Sequence, residues 1–70
     1  MNGHKNWNHW NVSLWINNDE GLYRTAKRYA QRYGKAEGAR LLMRDYFAGQ
    51  STPDGAPYSY SSVIAAIREI

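Results

Sequence analysis

Apolar residues recur at every third or fourth position between Glu20 and Tyr33, with the period of an α-helix. The stripe consists of Leu22, Tyr23, Ala26, Tyr29, Ala30 and Tyr33. The positions between them are mostly basic, which is typical of a helix with one buried and one solvated face. Asn17 and Glu20 have the spacing of a capping box, and Gly34 can end the helix in a left-handed conformation. This pattern predicts a helix from Asp19 or Glu20 to Tyr33.

The same period predicts a second helix over residues 35–48, ended by Gly49, and a last helix that begins near Ser59 or Ser61. The predicted inner face of the second helix consists of Ala39, Leu42, Met43, Tyr46 and Phe47. The predicted inner face of the last helix consists of Val63, Ile64, Ile67 and Ile70. Residues 50–57 are predicted as a loop, because the Thr-Pro-Asp-Gly sequence within it is a strong turn signal.

The segment over residues 10–16 fits two structures. A strand would place Trp10, Val12, Leu14 and Ile16 on one face. A helix capped by Asn11 and ending near Asn18 would instead place Val12, Trp15 and Ile16 together, with Leu14 beside them. We favour the helix, because the other strand-like residues are confined to 56–58 and a lone pair of strands is marginally stable.

These elements predict an all-α fold, a compact single domain of three to four short helices with at most a minor β contact. A length of 70 residues is consistent with one domain, and we expect residues 1–8 to form a flexible tail before it. The chain has no cysteine, so disulfides and thiolate metal sites are excluded. No apolar run approaches the roughly 20 residues of a membrane span, and no signal-peptide core follows Met1. We therefore expect a cytoplasmic protein without a membrane partner.

Positive charge is concentrated in the middle of the chain. The net charge is +3, but seven Lys and Arg residues stand against two acidic residues between Gly21 and Phe47. The exposed face of the helix over residues 20–33 would carry Arg24, Lys27, Arg28 and Arg32. Such a face can bind phosphates or an acidic protein surface, and the alternative is a solvated helix face without a partner.

The polar residues before this helix are best explained by helix capping. Asn17, Asp19 and Glu20 also offer oxygen ligands, but calcium sites space their ligands at alternate positions around a glycine. An acidic binding or catalytic site is the alternative that remains open. His4 and His9 lack a third ligand at a spacing suited to zinc, and we expect both at the surface or in the tail.

No catalytic motif is evident, so the sequence favours a protein that is not an enzyme and uses neither cofactor nor metal. Aromatic residues are the other candidates for contact with a partner. We expect Trp7, Tyr58 and Tyr60 to be exposed, whereas Tyr23, Tyr29 and Tyr33 have the spacing of core or half-buried positions. Aromatic rings beside basic residues can also stack on the bases of single-stranded nucleic acid.

Residues 10–23, with the sequence WNVSLWINNDEGLY, resemble the opening segment of a family of small uncharacterised proteins encoded mainly by bacteriophages and mobile elements. The Thr-Pro-Asp-Gly turn, a nearby tyrosine and the amphipathic last helix match that family more loosely. The resemblance transfers no catalytic residue. It implies a viral or mobile-element setting, in which short proteins commonly inhibit host defence, the anti-CRISPR proteins among them.

The function expected from the sequence is therefore a non-enzymatic phage or mobile-element interaction protein. It would bind a host protein or ribonucleoprotein complex in the bacterial cytoplasm and inhibit or modulate it. The alternative is a small basic nucleic-acid-binding protein that uses Arg24, Lys27, Arg28 and Arg32 on phosphates. Either a monomer or a homodimer is compatible with the sequence.

Overall fold

Four α-helices and one π-helical turn make up most of the computed structural model, which describes residues 6–70. The helices are α1 (Trp7–Asn18), α2 (Glu20–Tyr33), α3 (Lys35–Leu42) and α4 (Tyr60–Ile67), and the π-helical turn is Met43–Phe47. The all-α fold predicted from the sequence is confirmed. The minor β contact is a single antiparallel bridge between Ser51 and Pro57, and residues 6–70 form no sheet.

The first segment is a helix, as favoured, but it begins earlier than predicted. Asn6 caps α1, because its Oδ1 accepts a hydrogen bond from the backbone N–H of His9 at 2.9 Å. The predicted cap, Asn11, lies inside the helix and is buried. Trp7 and Asn8, which we assigned to the tail, are the first two residues of α1. Asn6 also belongs to the predicted tail, and the remaining tail residues, 1–5, lie outside the described residues.

The core lies between two pairs of helices, α1 against α4 and α2 against α3. Its buried members are Val12, Ile16, Ala26, Ala39, Leu42, Phe47, Ala56, Val63, Ile64, Ala66 and Ile67. Trp15, predicted on the inner face of α1, is only half-buried at the edge of this core. None of the helices described in residues 6–70 is long and apolar enough to cross a membrane.

Asp19 caps α2, whereas the sequence indicated Asn17. The Oδ1 atom of Asp19 accepts a hydrogen bond from the backbone N–H of Leu22 at 3.0 Å. Asn17 belongs to the last turn of α1, where its amide donates to the Ser13 carbonyl oxygen at 2.8 Å. Gly34 ends α2 with the positive φ that we predicted, but its ψ of 164° turns the chain directly into α3.

The predicted second helix is α-helical only as far as Leu42 and continues as the π-helical turn. A π turn contains more residues than an α turn, so it changes which side chains face the core. Phe47 is buried, as predicted, but Tyr46 was wrongly placed on the inner face and is 51% exposed. The departure from the α-helical period therefore turns Tyr46 out of the core.

Glycine permits a close approach between α2 and α3. A Cβ atom added to Gly38 would lie 2.9 Å from the carbonyl oxygen of Tyr29, a backbone atom that cannot move aside by a rotamer change. The second half of α2 is thereby held directly against the start of α3. This contact fixes the position of Tyr29 relative to the π-helical turn that follows α3.

The predicted turn and last helix are confirmed in outline. The Gly55 N–H donates to the Thr52 carbonyl oxygen at 2.8 Å, which closes the turn over residues 52–55. Ser59 caps α4 in a reciprocal arrangement with Ser62, so the earlier of the two predicted start positions is correct. The predicted apolar stripe of α4 lies in or against the core.

Candidate functional site

The basic face of α2 is less uniform than the sequence indicated. Arg24, Lys27, Arg28 and Arg32 are all exposed, as predicted. Arg24, however, forms an ion pair with Glu20 one turn earlier in the helix. Among the described residues, no ion pair engages Lys27, Arg28 or Arg32. Three cations without an ion-pair partner among the described residues therefore lie in the second half of α2.

Three tyrosine rings meet beside this charge. The ring centroid of Tyr29 lies 5.7 Å from that of Tyr33 in a tilted arrangement and 5.9 Å from that of Tyr46 in an edge-to-face arrangement. The rings form a cleft of about 200 Å³ together with Arg28 and Arg32. We call these five residues the basic–aromatic cleft. Tyr33 is 44% exposed, so only part of the predicted tyrosine stripe faces the core.

The guanidinium groups border the cleft on one side. Arg28 and Arg32 are one helical turn apart, and so are Tyr29 and Tyr33 in the neighbouring row of α2. The Cζ atom of Arg32 lies 5.6 Å from the centroid of the Tyr33 ring, within cation–π range. The cleft therefore offers ring surface and unpaired positive charge to the same ligand.

Asp45 fixes the back wall of the cleft. Its Oδ2 accepts a hydrogen bond from the Tyr29 hydroxyl at 2.8 Å, and its Oδ1 accepts one from Nε of Arg44 at 2.7 Å. These bonds, first that from Arg44 and then that from Tyr29, lower the pKa of Asp45. The bond to Asp45 is also the main reason that the pKa of Tyr29 is raised to about 12. The hydrogen bond to Asp45 thus anchors the Tyr29 side chain at the cleft.

The polar residues around the start of α2 are engaged in contacts within the protein. Asp19 is engaged in capping α2, and Glu20 is paired with Arg24. Asn17 points back along α1 to Ser13. In residues 6–70, no group of three or more His, Cys, Asp or Glu side chains is placed to hold a metal ion. Of these three residues, Asp19 has the capping role, whereas Asn17 and Glu20 each contact a residue of their own helix.

The three aromatic candidates near the ends of the helices are in different environments. Trp7 and Tyr60 are exposed, at 42% and 44%. Tyr58, predicted to be exposed, is half-buried because its ring stacks on Phe47, with the centroids 4.2 Å apart. Tyr60 lines a mainly apolar groove between α3 and α4 that is separate from the basic–aromatic cleft.

His9 was predicted at the surface or in the tail, but it belongs to α1 and is buried against α4. Its Nε2 lies 3.2 Å from Oγ of Ser61, in the first turn of α4. Oγ of Ser61 lies 3.3 Å from Oγ of the capping residue Ser59. The histidine thus connects the first turns of α1 and α4. The sequence does not reveal this burial, because the contact partner Ser61 lies 52 residues away.

Comparison with known families gives one result. A model described as "Family of unknown function (DUF7249)" matches residues 1–70, the whole chain. The chain belongs to this family. No curated protein and no solved structure shows significant similarity to it.

For this DUF7249 member, the assignment of a site therefore depends on its own geometry. Tyr29 and Tyr33 could have been recognised from the sequence, because each directly follows an arginine of the basic row. Tyr46 could not, because only the π-helical turn brings it to the cleft. The basic–aromatic cleft can bind an anionic ligand that also presents a flat or apolar surface.

Proposed function

We propose that the protein is a non-enzymatic interaction module of the phage or mobile-element type. It binds a host protein or ribonucleoprotein complex in the bacterial cytoplasm and inhibits or modulates that complex, for example in host defence. The contact surface is the second half of α2 with the basic–aromatic cleft. The resemblance of residues 10–23 supports the genomic setting, and the surface of α2 supports the mode of action.

The observation that carries the proposal is the unpaired charge beside exposed rings. Arg40 is paired with Glu37 and Arg44 with Asp45, so these arginines are already engaged, as Arg24 is. Arg28 and Arg32 form no ion pair within residues 6–70, so their guanidinium groups can bind a partner. Arginine and tyrosine are enriched among the residues that contribute most to protein interfaces, because they combine apolar contact with directed hydrogen bonds.

Capture from bacterial lysate tests the proposal. The immobilised protein is compared with Arg28→Gln/Arg32→Gln, and with Arg24→Gln/Arg40→Gln as a control of equal charge change outside the cleft. We expect the parent and the control to capture a defined host complex that survives nuclease treatment. The cleft variant should bind this complex more weakly by roughly tenfold or more, because it lacks the central arginine contacts. Equal capture by all three proteins would contradict the proposed surface.

A second candidate function is direct binding of nucleic acid by the same face. Lys27, Arg28 and Arg32 are favourable for phosphates, and the adjacent rings add surface for bases. Loss of all capture after nuclease treatment would favour this candidate. It also predicts binding to purified oligonucleotides that weakens steeply with added salt, because phosphate contacts release counterions.

A further inference from the structure

We infer that the basic–aromatic cleft is a binding site for unpaired nucleotides of single-stranded nucleic acid. The exposed rings of Tyr33 and Tyr46 stack on bases, and the guanidinium groups of Arg28 and Arg32 bind the phosphates. This inference rests on the second candidate function, direct binding of nucleic acid by this face, because it assigns a ligand class to the same surface. It covers both the RNA of a ribonucleoprotein and free single strands.

The rings are arranged as a stacking surface. Tyr46 is 51% exposed and Tyr33 is 44% exposed, although both contact Tyr29. Tyr29 is anchored by its hydrogen bond to Asp45, so the other two rings pack against a fixed wall. Preorganised rings lose little conformational entropy when a base stacks on them. Every base has a flat face, so such a surface accepts different sequences.

The electrostatics of the cleft suit phosphate. Arg28 and Arg32 form no ion pair among the described residues, and they lie on the row next to Tyr29 and Tyr33. The carboxylate nearest to this wall, Asp45, already accepts hydrogen bonds from Arg44 and Tyr29. Its charge is therefore paired within the protein, and Arg28 and Arg32 add positive charge to the cleft.

Ring faces and free cations together favour single strands over the other anionic partners. The bases of a duplex are stacked on each other, so their faces are not available to Tyr33 or Tyr46. An acidic peptide provides charge for Arg28 and Arg32, but its carboxylates make no use of the tyrosine faces. An unpaired nucleotide presents a phosphate and a flat ring within one residue of its chain, and it uses both features of the cleft.

Binding of the 70-residue chain to labelled oligonucleotides tests this inference. Fluorescence anisotropy is measured with short single-stranded oligouridine and oligodeoxythymidine and with a duplex of matched length, over a series of salt concentrations. We expect binding to single strands to exceed binding to the duplex. A preference between the two single strands identifies RNA or DNA as the better ligand.

Two pairs of variants locate the site. Tyr33→Ala should weaken binding by about five- to 150-fold, the range observed for loss of one stacked base, and Tyr33→Phe should restore it. Tyr60→Ala is the matched control, because Tyr60 has the same exposed fraction but lies on another groove. Arg28→Gln/Arg32→Gln should reduce the slope of log affinity against log salt by about 1.4, or roughly 0.7 for each lost phosphate contact. Arg24→Gln/Arg40→Gln should leave that slope unchanged.

The outcomes separate this inference from the proposed function. No binding to single strands at low salt, or equal binding to the duplex, would overturn the inference. The inference would also be overturned if the folded Tyr33→Ala and Tyr46→Ala variants bound single strands as tightly as the parent. If such a result accompanies nuclease-resistant capture of a host protein that requires Arg28 and Arg32, the proposed function stands and the cleft contacts protein. If neither capture from lysate nor oligonucleotide binding depends on Arg28 and Arg32, this face of α2 has no binding function.

Discussion

The indole N–H of Trp15 in α1 donates a hydrogen bond to Oδ2 of Asp54 at 2.9 Å, across 39 residues of sequence. The side-chain amide of Asn11 donates to the same oxygen at 2.9 Å. The carbonyl of that amide accepts a hydrogen bond from the Thr52 hydroxyl at 2.5 Å. Thr52 in turn accepts the N–H of Ala56 at 3.0 Å. The first three bonds join the first helix to the turn before α4 and the fourth lies within that turn, so the turn is part of the fold and not a free loop.

We expect Trp15→Phe to keep the fold and lower the free energy of unfolding by about 1 kcal/mol, because it removes one exposed hydrogen bond to a carboxylate and keeps an aromatic ring. Asn11→Ala should cost more, about 2–3 kcal/mol, because it leaves the buried Thr52 hydroxyl without its acceptor. Urea denaturation of both variants measures the difference. If Asn11→Ala is as stable as Trp15→Phe or more stable, the buried bond to Thr52 is not the stronger connection.

The stability of the protein should decrease in acid partly through Asp54. Hydrogen bonds from Asn11 and then Trp15 lower the pKa of Asp54 below its ordinary value of 3.8. Because the pKa is lower in the folded state, this contribution is present above pH 3.8 and is lost as the pH falls through the folded value. Asp54→Asn should be less stable than the parent at neutral pH and lose less stability below pH 3.8. Asp45→Asn serves as the comparison, since the pKa of Asp45 is also lowered.

Parallel curves of the free energy of unfolding against pH for Asp54→Asn and the parent would refute the role assigned to this carboxylate.

Gly38→Ala should destabilise the protein although alanine favours helices by about 1 kcal/mol over glycine. The new Cβ would lie 2.9 Å from the Tyr29 carbonyl oxygen, so α3 must move away from α2. We expect a net loss of about 1–3 kcal/mol, as in overpacked cores. Gly21→Ala is the control, because its Cβ would meet Asp19 Oδ1 at an ordinary 3.4 Å, and it should be neutral or slightly stabilising. Thermal melting of both variants distinguishes steric from conformational effects.

Replacing the acidic residues at the start of α2 should have a small effect. The double variant Asp19→Asn/Glu20→Gln should keep its fold and lose about 1 kcal/mol or less, because asparagine can still accept the Leu22 N–H. Asp19→Ala, which removes that acceptor, should cost about 1 kcal/mol by itself. The measurements are melting and partner capture. Loss of capture by the folded double variant would show that the acidic pair is a functional site after all.

Charge reversal in the cleft should affect association more than stability. Arg28→Glu/Arg32→Glu changes exposed side chains that have no ion-pair partner among residues 6–70, so stability should change by about 0.5 kcal/mol or less. The association rate with the captured partner or the oligonucleotide should fall, most strongly at low salt, because surface charge steers the encounter. Equal association rates for the parent and a folded variant at low and moderate salt would show that this face is only solvated surface.

The sequence alone determined the helices whose apolar period is unbroken. The stripe of α2, the stop at Gly34 and the apolar face of α4 could all be located, because spacing along one helix defines which residues share a face. The same local argument found the turn over residues 52–55, where proline and glycine restrict the backbone directly. It also found the basic face of α2, because charge and helical period are both visible in the sequence.

The tertiary structure decided the features that depend on distant residues. Asn11 looked like a helix cap, and only the approach of the turn to α1 reveals its buried bonds to Thr52 and Asp54. Tyr46 looked like a core residue, and the π-helical turn exposes it beside Tyr29. Ion pairing with Glu20 separates Arg24 from the free charges of α2. Helical period predicts which residues lie on one face, but burial and charge pairing depend on the elements that pack against that face.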